Sequence, residues 1–178
     1  MKFKIFRFKK VLSTNDTAIR IINNSNCNYG MVISNNQKKG RGQYGKKWIS
    51  YEGNLFVSFF YRMNEINISL KQLTKNNCLL VKKLLSNYFE KKIIFKRPND
   101  LLIDKRKISG ILQEIIEKSD IKYLIVGIGI NLKRNPNITN YPTINLSHLS
   151  KKRISKTKIE KELKKIFEDS LNKIIYKK

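Results

Sequence analysis

Two apolar stretches stand almost back to back in this chain, residues 107–118 and 121–130, with only Ser119 and Asp120 between them. A two-residue connection leaves no room for a crossover helix, so strands joined this way pair antiparallel. That argues against a doubly wound parallel sheet. Further strand candidates lie at residues 3–8, 30–35, 55–62 and 93–96, rich in β-branched and aromatic side chains. Ser13-Thr14-Asn15-Asp16 is dense in N-cap residues and predicts a helix over 15–23. Leu70, Leu73, Leu80, Val81, Leu84, Leu85 and Tyr88 recur at helical spacing, as do Ile159, Leu163, Ile166, Phe167, Leu171 and Ile174. A capping box is expected at Thr157…Glu160, ahead of that last face. The expected fold class is α+β (mixed α/β), with one mixed, mainly antiparallel sheet and helices packed on it. Without an internal repeat or a Pro/Ser linker, residues 1–178 are expected to form a single domain.

The formal charge of +25 raises the question of nucleic acid. Arg, the better reader of phosphates and bases, is only 8 of the 38 cations, while Lys, Ile and Asn are all over-used. The charge is therefore read as compositional background that attracts acidic partners at long range, and no DNA binding is expected. Hydrophobic residues make up 40% of the chain, enough for a packed core. No run approaches the ~18 apolar residues of a membrane span, and the N-terminus lacks a secretory h-region. Cys27 and Cys78 have no CxxC context, and His148, the single histidine, reads as an incidental loop residue. Neither a zinc site nor a disulfide framework is expected, and the default compartment is the cytoplasm.

Three segments carry chemistry. Gln37 to Trp48 contains Gly40, Gly42 and Gly45 among Arg41, Lys46 and Lys47, which suits a phosphate or carboxylate. The glycines lead into another strand rather than a helix, which disfavours a dinucleotide fold. Lys96-Arg97-Pro98-Asn99-Asp100 follows, where Pro98 keeps its predecessor extended and presents Asn99 and Asp100 at a strand end, suited to a metal or a ribose. Lys107 then projects from the start of the hairpin, with Gly110 three residues on. In the third segment, Gly127-Ile-Gly129-Ile-Asn131, glycines interrupt a buried strand, which weakens it unless something must come close.

Taken in order, these segments resemble the catalytic domain of the biotin protein ligases, the biotin–[acetyl-CoA-carboxylase] ligases, over roughly residues 10–150. Ser13-Thr14-Asn15 matches the STN motif, Gln37 with Gly40-Arg41-Gly42 through Trp48 the GRGRxGRxW loop, KRPND at 96–100 with K-x-x-G-I-L-x-E at 107–114 the KWPND segment, and GIGIN at 127–131 the strand motif. The resemblance implies a class II aminoacyl-tRNA-synthetase-like fold and a two-step reaction. Biotin and ATP with Mg²⁺ would give biotinyl-5′-AMP, and the acyl group would pass to a lysine of a biotin carboxyl carrier protein. It implies Lys107 and Arg41 as catalytic residues. Ser13, Thr14, Asn15, Gln37, Arg41, Gly42, Gln43, Trp48, Lys107 and Gly110 would bind biotin. Gly40, Arg41, Gln43, Lys46, Asn99, Lys107 and Asn131 would bind ATP and the adenylate, with no direct metal ligand readable. The family admits a homodimer through an exposed sheet edge. A helix-turn-helix module before Ser13 and a small SH3-like domain after the last helix are not expected.

Three residues depart from the family pattern. Gln43 stands where a second Arg is usual, Arg97 where Trp precedes the proline, and Lys46 where Arg is usual. Two rival readings are a lipoate or octanoate ligase, and a small basic nucleic-acid-binding protein.

Overall fold

The computed structural model describes residues 1–63, 68–139, 141–151 and 153–176. The central hairpin is β6 (Arg106–Lys118) and β7 (Ile121–Ile130), paired antiparallel from Ser109↔Ile130 to Lys118↔Ile121. Its turn residues Ser119 and Asp120 have φ of 47° and 61°, the left-handed pair that matches strand twist in a two-residue loop. Around it lie β1 (Lys4–Phe8), β2 (Tyr29–Ser34), β3 (Leu55–Arg62), β4 (Ile94–Lys96) and β5 (Asp100–Ile103). The seven strands run in the order β1-β2-β3-β7-β6-β5-β4, and β1 alone pairs parallel to its neighbour. This is the mixed, mainly antiparallel sheet that direct strand connections imply.

Two details differ from the sequence reading. The short β5 was not expected, because its link to β6 is Asp104-Lys105, with φ of 48° and 61° and no glycine to announce the turn. Where β5 meets β6, Leu101 pairs with Ser109 and Leu102 with Lys107, so Ile108 is an extra residue. The bulge turns both Ile108 and Ile111 into one core, which strict alternation would not allow.

Alternation along β3 separates the two faces. Leu55, Val57, Phe59 and Tyr61 point to a large core with α2 (Leu70–Leu85) and α3 (Lys156–Tyr176). Phe59 stacks on Phe167 of α3 with ring centroids 4.3 Å apart. Helix α2 ends before Tyr88 and opens on a capping box between Ser69 and Gln72. For α3 the expected Thr157…Glu160 box is not the cap: Ser155 Oγ accepts from Lys158 N. On the opposite face, α1 (Thr14–Asn24) covers one part of the sheet, with Ala18 and Ile22 against Val32, Phe60, Tyr123 and Ile125. The other part of that face holds the cavity described below. Among the described residues no helix is long and apolar enough to cross a membrane.

Phe167→Ala removes half of the aromatic stack and leaves a hole between α3 and the sheet. Urea unfolding is expected to show a loss of about 3–5 kcal/mol, the usual range for a fully buried Phe. A loss below about 1 kcal/mol would contradict the packing described.

Candidate active site

The first turn of α1 sets one wall of the site. Ser13 is the N-cap, its side chain accepting from Asp16 N. Gln37 Oε1 accepts from the Thr14 amide at 2.8 Å and the Thr14 hydroxyl at 3.1 Å, and its Nε2 donates to Ser50. Asn15 is 2% exposed and turns toward the sheet. Its Oδ1 accepts from Ser58 of β3 at 2.5 Å, and its Nδ2 donates to Glu114 of β6 at 2.6 Å. These four residues are thus bonded to one another's surroundings rather than solvated, as a rigid pocket wall requires.

The glycines in the strands form the floor. A Cβ on Gly127 would collide with Asn15 Oδ1, and one on Gly129 with the Trp48 indole. A Cβ on Gly110 would come within 2.8 Å of the same indole. So Gly110 and Gly129, paired across β6 and β7, make a bare patch on which Trp48 lies. Trp48 Nε1 is buried with no hydrogen-bond partner among the described residues, a donor left available to a ligand.

The basic loop closes over this floor and is tied to itself. Arg41 bridges antiparallel to Lys47, Gly42 N donates to Lys46 O at 2.6 Å, and Trp48 N donates to Gly40 O at 2.9 Å. Gly40 therefore serves the close approach of Trp48, and the Gly42 amide, expected to face an anion, is occupied within the loop. Arg41 forks onto Glu114 at 2.7 and 2.8 Å and also reaches Asp16 at 2.7 Å. Partial burial alone would lower its pKa; the hydrogen bonds and charges of Glu114 and Asp16 outweigh that and raise it. Neither carboxylate was singled out as a site residue, although Glu114 shares the Gly110 face of β6 by period-two spacing.

Lys107 enters from the start of β6. Its Nζ is 2.7 Å from Asp100 Oδ1, at an angle outside hydrogen-bond geometry, and lies 5.2 Å from the Trp48 ring and 5.3 Å from the Tyr141 ring. Asp100, expected to suit a metal or a ribose, is here the counter-ion of Lys107. Asn99 lines the cavity but its Nδ2 donates to Ile111 O at 2.7 Å. Asn131, expected on the nucleotide, is 2% exposed and lies outside the cavity lining. Its amide donates to Ile144 O at 3.2 Å and its backbone N–H to Ile108 O at 2.9 Å, bracing the strand that carries Lys107.

The first turn of α1, the glycine floor, the basic loop and Lys107 surround a cavity of about 590 Å³. Ser13, Thr14, Asn15, Gln37, Gln43 and Trp48 line it together with Arg41, Lys46, Lys47, Lys96, Arg97 and Lys107. Asp100 is the one acidic side chain among those lining residues. Even counting Glu114 and Asp16 on Arg41, six cations stand against three carboxylates, a balance that suits an anion, while the Gly127, Ile128 and Gly129 stretch supplies an uncharged wall.

Trp48 is the chain's single tryptophan, so its emission reports on the floor. Gly129→Ala is expected to shift that emission to longer wavelength as the indole is lifted toward water. Stability should fall by about 1–3 kcal/mol, the usual cost of overpacking. Unchanged emission in a folded variant would contradict the close approach.

Residues 8–131 match the model of the Biotin/lipoate A/B protein ligase family. The bifunctional ligase/repressor BirA of Bacillus subtilis is 33% identical over 127 residues, which are 70% of this chain and 39% of that protein. The chain thus spans about two fifths of the length of that curated relative. The biotin protein ligase from Aquifex aeolicus in complex with biotin and ATP superposes with a TM-score of 0.82 at 31% identity, over 98% of this chain and 72% of that one. A P. falciparum protein in complex with lipoate shares the fold at a TM-score of 0.61 and 17% identity, over 92% of this chain and 62% of that one. A family match across well over half its length, spanning every cavity-lining residue up to Gly129, makes this chain a member of the biotin/lipoate A/B protein ligase family.

Proposed function

We propose that this chain is an ATP-dependent biotin protein ligase, acting in two steps within the one cavity. The observation that carries the reading is Lys107: an ammonium on a rigid strand, in a six-cation cavity, beside a wall of fixed uncharged polar groups. In the first step a biotin carboxylate oxygen attacks the α-phosphorus of MgATP. An acyl–O–P bond forms, the bond from the α-phosphorus to the bridging oxygen breaks, and pyrophosphate leaves. Two anions must meet, so the protein has to offset their repulsion as charge concentrates in the transition state. Lys107 does so by contacting the carboxylate and α-phosphate together. Arg41 is available from the loop once it exchanges Glu114 and Asp16 for the ligand. In the second step a neutral lysine amine of a biotin carboxyl carrier domain attacks the acyl carbon, a C–N bond forms, the acyl C–O bond to the phosphate breaks, AMP leaves and the amine gives up a proton.

Ser13, Thr14, Asn15 and Gln37 shape the end that receives the uncharged ring of biotin, and Trp48 covers it from the glycine floor. Gly110 leaves the space beside Lys107 open. Lys46 and Asn99 face the nucleotide side, while Asn131 acts from behind by fixing the backbone near Lys107. MgATP enters as a substrate, with the metal carried by its phosphates. The wall suits the polar ureido ring of biotin better than the apolar dithiolane ring of lipoate, since it offers hydrogen-bonding groups held in place rather than a purely apolar channel.

The direct test is ATP–pyrophosphate exchange with Mg²⁺, run in parallel with biotin, lipoate and octanoate. Exchange driven by biotin is expected, falling by on the order of 10²–10³ in Lys107→Ala, as for loss of one transition-state donor. Exchange driven by lipoate alone, or by none of the three acids, would contradict the proposal. Gln43 leaves the covering loop one cation short of the family pattern, so Gln43→Arg is expected to hold biotinyl-AMP longer and to reduce biotin transfer to bystander lysines. Equal release by both forms would show that Gln43 has no such effect.

A further inference from the structure

Beyond β7 the chain turns back and grips Lys107. Asn54 Oδ1 accepts from the amides of Leu132, Lys133 and Arg134, fixing the exit from the sheet. Asn135 Nδ2 then donates to Thr143, and Asn145 Nδ2 to Asn135 Oδ1, closing the loop on itself. Within that loop Pro142 O accepts from Lys107 N at 2.8 Å, and Lys107 O accepts from Ile144 N at 3.0 Å. Tyr141 sits at the edge of this clamp, half-buried and lining the cavity. Its hydroxyl donates to Asp100 Oδ2, while the other oxygen of Asp100 is the one beside Lys107 Nζ. The same ring lies 4.7 Å from Lys96 Nζ and 5.3 Å from Lys107 Nζ.

A tyrosine that merely filled space would have no reason to place its hydroxyl on the one acid lining the cavity. We propose that Tyr141 is a positioning residue: by fixing one oxygen of Asp100 it presents the other to Lys107, and so sets where the ammonium points. A lysine on a four-carbon stem samples many rotamers, and a carboxylate free to rotate would follow it rather than hold it. With Asp100 pinned and the ring beneath the ammonium, Lys107 is restrained by charge and by cation–π contact at once. The hydroxyl also draws off part of the Asp100 charge, which otherwise opposes an anionic ligand. The inference rests on the proposed role of Lys107 in adenylation, and its test has a readout that needs no substrate.

In biotin-dependent pyrophosphate exchange, Tyr141→Phe keeps the ring and removes the hydroxyl. The kcat is expected to fall by about tenfold, the scale of one hydrogen bond to a charged group, with KM for biotin and for MgATP within about twofold. In an Asp100→Ala background, which removes the acceptor, the same change is expected to have no further effect, since Tyr141 acts through Asp100. Independently, the Lys107 side-chain methylene signals in the NMR spectrum, assigned by their loss in Lys107→Ala, are expected to be displaced by the Trp48 and Tyr141 rings. Tyr141→Phe should move them toward the values of exposed lysines. Signals that stay in place, a wild-type kcat, or equal losses in both backgrounds would each overturn the proposal. Were wild type to show no exchange with biotin while the signals moved as expected, the functional reading would fail and the positioning role would stand.

Discussion

The site depends on three places where the central strands carry no side chain. Asn15 and Trp48 approach the sheet so closely at Gly127 and Gly129 that a methyl group would collide with them, and Gly110 is nearly as tight. A strand gives up packing and conformational restriction by using glycine. The large core on the other face, built on Phe59, Phe167 and their neighbours, offsets that loss. The sheet is therefore asymmetric by construction: one face is closed by α2 and α3, and the other is partly bare so that an indole and an amide can lie flat on backbone.

Electrostatics follow from the same layout. A cavity crowded with cations would repel itself, and the two central cations each have an acidic partner. Lys107 has Asp100, and Arg41 has Glu114 and Asp16. The Arg41 side chain is 39% exposed, so water screens its pairs, yet the fork onto Glu114 with Asp16 beside it is a networked, bidentate arrangement rather than an isolated surface pair. An incoming anion would therefore have to compete with both carboxylates for Arg41, while the loop's own backbone bonds keep it near the site. Lys107 is half as exposed, at 20%, and is held at both backbone ends as well. The arrangement separates a loop cation held by side-chain carboxylates from a strand cation whose own backbone is clamped on both sides.

Much of this was legible in the sequence because the signals were periodic. Alternation from 121 to 130 puts Gly127 and Gly129 on one face, and the N-cap cluster placed the start of α1 to within a residue, while Asn15 entered as a site residue through the family resemblance alone. Glu114 was legible by the same alternation, yet an acid at a strand position reads first as solvated surface, and its role appears only once Arg41 reaches it. Asn131 shows the converse: a polar residue ending an apolar run reads as a ligand contact, whereas its amide braces backbone carbonyls. Tyr141 and β5 left no signal, the one because its contact with Asp100 is set by a long irregular loop, the other because Asp104-Lys105 turns without glycine. Distant pairing of irregular segments has no period to detect, which is why the motifs could be placed and their counter-ions could not.

On the proposed function, biotin and the nucleotide meet in the glycine-floored, cation-lined cavity. Titrating biotin into the protein while following Trp48 emission tests it most directly, first alone and then with MgATP. A saturable change with biotin is expected, and a tighter one when MgATP allows the adenylate to form and stay. Emission indifferent to biotin in both titrations, while binding is seen by calorimetry, would place the ligand elsewhere and contradict the account.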